Sequence, residues 1–102
     1  MDRLDALFEI VERLNHRYPE GTTPFAIVTR LCEESGELAK EVNHLEGTGQ
    51  KVAKYGPCDK TRIAKEAQDV IRCALAAVMY YGVKAEFEAS IVESLSRLRG
   101  SA

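Results

Sequence analysis

The segment RLCEESGELAKEV, residues 30–42, places Glu33, Glu34, Glu37 and Glu41 within a run whose apolar positions have helical spacing. Ile27, Leu31, Leu38 and Leu45 line up along one side of such a helix, with Val28 and Val42 beside them. Glu34 and Glu37, one turn apart, fall on the flank of that stripe. The segment IAKEAQDV, residues 63–70, repeats the arrangement with Glu66 and Asp69. Both segments read apolar, two residues, Glu, two residues, acid, apolar.

Working outward, Leu4, Leu7, Phe8, Val11 and Leu14 recur at i, i+3, i+4 and i+7 and predict a first helix that ends near Tyr18-Pro19-Glu20-Gly21. Thr22-Thr23-Pro24 offers a capping hydroxyl and a first-turn proline, so the second helix starts there and stops at Gly47-Thr48-Gly49. A loop from Gly47 to Cys58 follows, with Lys51, Lys54 and a Tyr55-Gly56-Pro57 turn signal. Asp59 can cap a third helix with the stripe Ile63, Val70, Ala74, Ala77 and Tyr81, closed by Gly82. A fourth carries Phe87, Ile91, Leu95 and Leu98 on one face. No period-two alternation competes. The expected fold class is all-α, a four-helix bundle formed by residues 1–102 as one domain, since 102 residues leave no material for a second core.

Fourteen basic against sixteen acidic side chains give a formal net charge of −2, so there is no global positive field to draw in a nucleic-acid polymer or an anionic membrane. No apolar run approaches the roughly 20 residues of a membrane span, and the charged N-terminal stretch lacks the sections of a signal peptide. The expected location is cytoplasmic. Cys32, Cys58 and Cys73 show no CxxC spacing, and the first and last fit helix patterns as small buried hydrophobes.

With the second and third helices packed as antiparallel neighbours, Glu34, Glu37, Glu66 and Asp69 converge. Four carboxylates at contact distance repel and raise one another's pKa values, so a positive charge must compensate. Oxygen donors without His or Cys favour a hard divalent cation, Mg²⁺ or Mn²⁺. The plain alternative is a solvated face, because an acid every three or four positions commonly pairs with lysines such as Lys40 and Lys65. Glu41-Val42-Asn43-His44 forms a single ExxH, whereas di-iron bundles need two, so His44 reads as an exposed residue near the helix end. Phe25, Tyr80 and Tyr81 read as core aromatics, with stacking on a base as the other option.

Glu33-Glu34-Ser35-Gly36-Glu37-Leu38, followed after about thirty residues by Glu66-Ala67-Gln68-Asp69, resembles the EExxE and ExxD signature of the MazG-like all-α nucleoside triphosphate pyrophosphohydrolase superfamily. The resemblance implies hydrolysis of a nucleoside triphosphate to the monophosphate and pyrophosphate, for housecleaning of the nucleotide pool. It implies Mg²⁺ held by Glu34, Glu37, Glu66 and Asp69, with Glu33 activating the attacking water or helping to bind a further metal. Cations for the triphosphate are expected from Lys51, Lys54 and Arg62, and more loosely from Arg97 near the end of the last helix. Relatives of this kind are homodimers or homotetramers. Ile71, Leu75 and Val78 form a second apolar face on the third helix, and one of its two apolar faces is expected to meet a partner copy. The phosphoribosyl-ATP pyrophosphohydrolases are a less suitable match, because Val70-Ile71-Arg72 stands where a His-containing sequence is expected. The rival of another class is a non-enzymatic, oligomeric helical interaction module with solvated acidic faces.

Overall fold

Local capping chemistry explains where the first two helices begin. In the computed structural model, which describes residues 1–48, 56 and 59–100, the extended Asp2 accepts the Asp5 N–H at 2.9 Å and opens α1, Arg3–Arg17. That bond holds the Asp2 carboxyl below the usual carboxylate range. Pro19–Gly21 form a single 3-10 turn, over which the Thr22 hydroxyl donates to the Pro19 carbonyl at 2.7 Å. Thr23 then accepts the Ala26 N–H at 3.2 Å, and Pro24 occupies the first turn of α2, Pro24–Leu45.

Gly47, at φ 76°, ends that helix in the left-handed region expected after a C-cap. Asp59 accepts both the Thr61 N–H at 3.0 Å and the Thr61 hydroxyl at 2.8 Å, but the N-cap position before α3, Thr61–Tyr80, is Lys60 and not Asp59 as expected, and its side chain makes no capping bond. Gly82, at φ 66°, leads into α4, Lys84–Gly100. Among the described residues there is no strand, and the chain is all-α as expected.

The third helix is the hub, with α1 and α2 both packed against it. Phe8 and Val11 of α1 close on Leu75 of α3, with Leu4, Leu7, Ala76, Val78, Met79 and Phe87 packed round them. Leu75, on the second apolar face of α3, is 2% exposed and packs against α1 with Val78 beside it, whereas Ile71 on the same face is 48% exposed. Tyr81, placed on the core stripe, is instead 65% exposed. Two apolar stripes overlap on this helix, and the contact with α1 decides between them. The aromatics expected in the core are outside it too: Phe25 is exposed, while the exposed Tyr80 and Tyr81 meet edge to face at 4.9 Å.

Only the start of α4 joins the core. Phe87 meets Phe8 edge-on with ring centroids 6.2 Å apart, and the Lys84 ammonium lies 4.6 Å from the Phe8 ring centroid. Further along, Ile91, Leu95 and Leu98 remain exposed. The radius of gyration, 16.5 Å, exceeds the ~13 Å of a compact 100-residue domain. The observed architecture is therefore two helices packed on a third, with a fourth attached by its first turn.

Candidate metal centre

Along α2, Ile27 and Arg30 share a cavity wall with Ala76 and Cys73 of α3, and further on Glu34 meets Asp69 and Glu66. The two helices thus run in opposite senses, and this direction brings the acid-bearing turns together. One oxygen from each of Glu34, Glu66 and Asp69 lies within 4.8 Å of the others. Asp69 is buried, and Glu34 and Glu66 are half-buried. Three carboxylates supply oxygen donors alone, on two rods that hold them in register.

Two cations already answer part of this charge. Lys65 reaches Asp69 from the preceding turn, its ammonium donating to the two carboxylate oxygens at 2.7 and 2.6 Å. Arg72 approaches from the following turn at 3.5 Å. No ion pair involves Glu34 or Glu66 among the described residues, so three negative charges face two positive ones. The donor set fits a hard divalent cation. Lys65, with 64% of its side chain exposed, can leave Asp69 at little cost when one binds.

Other residues singled out from sequence lie elsewhere. Glu37 is outside this group and pairs with Lys40 at 3.6 Å, although it sits one turn along α2 from Glu34. Glu33 is exposed and pairs with Arg30 at 3.6 Å. Arg62 is exposed at the start of α3, one turn before Glu66. Arg97 lies ten residues beyond Phe87, about 15 Å along α4 at helical rise, and is exposed. Lys51 and Lys54, with the Tyr55-Gly56-Pro57 turn apart from Gly56, lie outside the described residues.

Sequence reasoning placed His44 on the surface, whereas Glu41 and His44 are each only 4% exposed. The His44 Nε2 makes a short contact with the Gly56 carbonyl, and Nδ1 lies 3.9 Å from the Glu41 carboxylate without a hydrogen bond of its own. Glu41 follows Glu34 at seven residues, two turns along the same side of α2. That spacing was the available signal. The contact of His44 with Gly56 joins residues twelve apart in the chain, which no local pattern announces.

Of the cysteines, Cys73 is buried as expected, but Cys32 is exposed, and Cys58 is outside the described residues. Burial pushes the Cys73 thiol up, with Glu34 and Asp69 adding to the effect against Arg72 and Arg30. Alkylation near neutral pH should therefore modify Cys32 at least ~100-fold faster than Cys73. Peptide mapping by mass spectrometry checks this, and equal labelling of both sites in the folded protein would contradict the burial.

No family model, curated protein or solved structure matches the chain. Among the described residues no helix is long and apolar enough to cross a membrane.

Proposed function

We propose that the protein is a divalent-cation-dependent hydrolase of phosphoanhydrides, and within that class a nucleoside triphosphate pyrophosphohydrolase of the MazG-like kind. The convergence of Glu34, Glu66 and Asp69 from two antiparallel helices is the observation that carries this reading. It agrees with the signature resemblance on three of its four expected ligands, and Glu37 is the one left aside.

Glu34, Glu66 and Asp69 would hold Mg²⁺ or Mn²⁺, which when bound neutralises phosphate charge and makes a water more acidic. Arg72, tied to Asp69 at the edge of the group, can donate its remaining N–H groups to phosphate oxygens. Arg62 is one turn away on the same helix and can do the same from solvent. In the reaction, water supplies hydroxide to one phosphorus of the α–β bridge and that phosphoanhydride bond breaks. Attack at the α-phosphorus expels pyrophosphate, attack at the β-phosphorus expels the nucleoside monophosphate, and the products are the same two in either case. Glu33, next to Glu34 in the chain but paired with Arg30 outside the acidic group, would have to turn from that partner to take the water's proton and release it to solvent.

We further infer a cytoplasmic homo-oligomer in which a second copy covers the apolar face of α4. Ile91, Leu95 and Leu98 lie on one side of that helix and remain exposed on the single chain. Sedimentation equilibrium tests the arrangement, and a monomer at all concentrations would exclude it.

Incubation with nucleoside triphosphates, with pyrophosphate and orthophosphate measured separately, tests the activity. Pyrophosphate release in Mg²⁺ or Mn²⁺, abolished by a chelator, is expected. The non-enzymatic module predicts no release and no stabilisation by cation. Glu33→Gln is expected to slow turnover tenfold or more with Mg²⁺ affinity unchanged, as read by calorimetry. Parallel loss of both would make Glu33 a ligand.

A further inference from the structure

Glu41 and His44 stand three residues apart near the end of α2 and are each 4% exposed. They do not belong to the acidic group, because the seven residues from Glu34 to Glu41 span about 10 Å at helical rise. Burying a carboxylate beside an imidazole is costly unless their polar atoms are satisfied. One of these atoms is not. The His44 Nε2 meets the Gly56 carbonyl, and a carbonyl only accepts, so Nε2 is the nitrogen that carries a proton. The other nitrogen, Nδ1, is buried without a hydrogen-bond partner and faces the Glu41 carboxylate. Two electron-rich atoms turned to each other away from water require a cation between them.

Their separation decides which kind. Nδ1 and the Glu41 oxygen are 3.9 Å apart. A shared proton needs ~2.7–3.2 Å between nitrogen and oxygen. A metal ion needs more room: bonds of ~2.0–2.2 Å allow up to about 4.2 Å across one ion, and roughly 3.4 Å in tetrahedral coordination. The observed gap is too wide for the proton and within the span of a metal. A ring whose second nitrogen is fixed by a backbone carbonyl is also the form in which histidines hold metals. The last turn of a helix, with its partial negative charge, favours a cation as well.

We propose that Glu41 and His44 form a second metal site, for a borderline divalent ion of the Zn²⁺ type, at the C-terminal end of α2. Its imidazole nitrogen selects Zn²⁺, Co²⁺ or Ni²⁺ over Mg²⁺, which sets it apart from the all-oxygen group of Glu34, Glu66 and Asp69. Among the described residues no third His, Cys or acid joins the pair, so water completes the coordination. The bound ion fastens the last turn of α2 and, through the His44 ring, the Gly56 backbone. The site does not depend on the hydrolase reading.

Co²⁺ is the probe, because it moves the ring protons of a bound imidazole far outside the usual proton NMR range. The chain has only two histidines, His16 and His44, and His16 is exposed on α1. The full chain is titrated with Co²⁺ in excess Mg²⁺, as wild type and as Glu66→Gln, which disables the acidic group. One equivalent should bind to each, with one shifted, exchangeable ring N–H that Zn²⁺ abolishes by displacing the cobalt. His16→Gln should leave that signal in place. His44→Gln and Glu41→Gln should each weaken Co²⁺ binding at least tenfold by calorimetry, with helical circular dichroism unchanged. Where either variant fails to fold, the signal of wild type and of His16→Gln decides. No Co²⁺ binding by the wild-type chain, a signal that His16→Gln removes, or binding equally tight in folded His44→Gln would each overturn the site. None of these results bears on pyrophosphate release, so the two readings fail separately.

Discussion

Replacing Glu66 by glutamine is expected to reduce pyrophosphate release at least about a hundredfold and to erase the stabilisation that Mg²⁺ confers. The change is nearly isosteric, and Glu66 makes no ion pair among the described residues, so the helix loses no partner. What it loses is one of three oxygen donors lying within 4.8 Å of one another. Changes in groups that merely support a metal ligand cost roughly 10–100-fold, and removal of a ligand's charge should cost no less. Without metal, the variant should melt at or above the wild-type temperature, because three carboxylates facing two cations repel one another. With the wild-type protein, cation at a hundred times its dissociation constant adds about 2.7 kcal/mol of stability. A domain of this size then melts roughly 10–20 °C higher. Differential scanning fluorimetry with and without Mg²⁺ reads both effects. Wild-type turnover in this variant would remove the acidic group from the chemistry. Asp69→Asn is a less direct test, since it also strips Lys65 and Arg72 of their shared anion.

The second large effect concerns stability alone. Phe8→Ala should destabilise the fold by about 3–5 kcal/mol, as large-to-small changes of buried aromatics do. At ~4–8 °C per kcal/mol, the melting temperature falls by roughly 12–40 °C. Phe8 is 3% exposed and touches three parts of the chain: its own helix, Leu75 on α3, and the start of α4 through Phe87 and Lys84. Its removal leaves a void where, among the described residues, α1, α3 and the start of α4 meet. Urea unfolding followed by circular dichroism measures the loss. A cost below about 1 kcal/mol would mean that this cluster is not the centre of the core.

The comparison with Leu98 shows why position decides more than residue type. Leu98 lies on the same predicted stripe as Phe87 but is 73% exposed. From periodicity alone the two have equal claims to the core. Phe87 packs on Phe8 because it lies next to the turn that joins α4 to the core, while the rest of the stripe is exposed on the single chain. The acid pairs show the same limit. Glu34 and Glu37 stand at matched spacing to Glu66 and Asp69, yet Glu37 turns to Lys40 while the other three gather.

Helix starts and stops, the all-α class, and the facing acid-bearing turns were legible in the amino-acid sequence. They depend on bonds spanning two to four residues, such as Asp2 to Asp5 and Thr23 to Ala26, or on a periodicity intrinsic to one helix. The choice of buried face on α3, the interment of Glu41 and His44, and the cavity beside Arg72 were decided by the tertiary structure alone. Those features arise where separate elements meet, and α3 offers two apolar faces similar enough that only its contacts with α1 and α2 select between them.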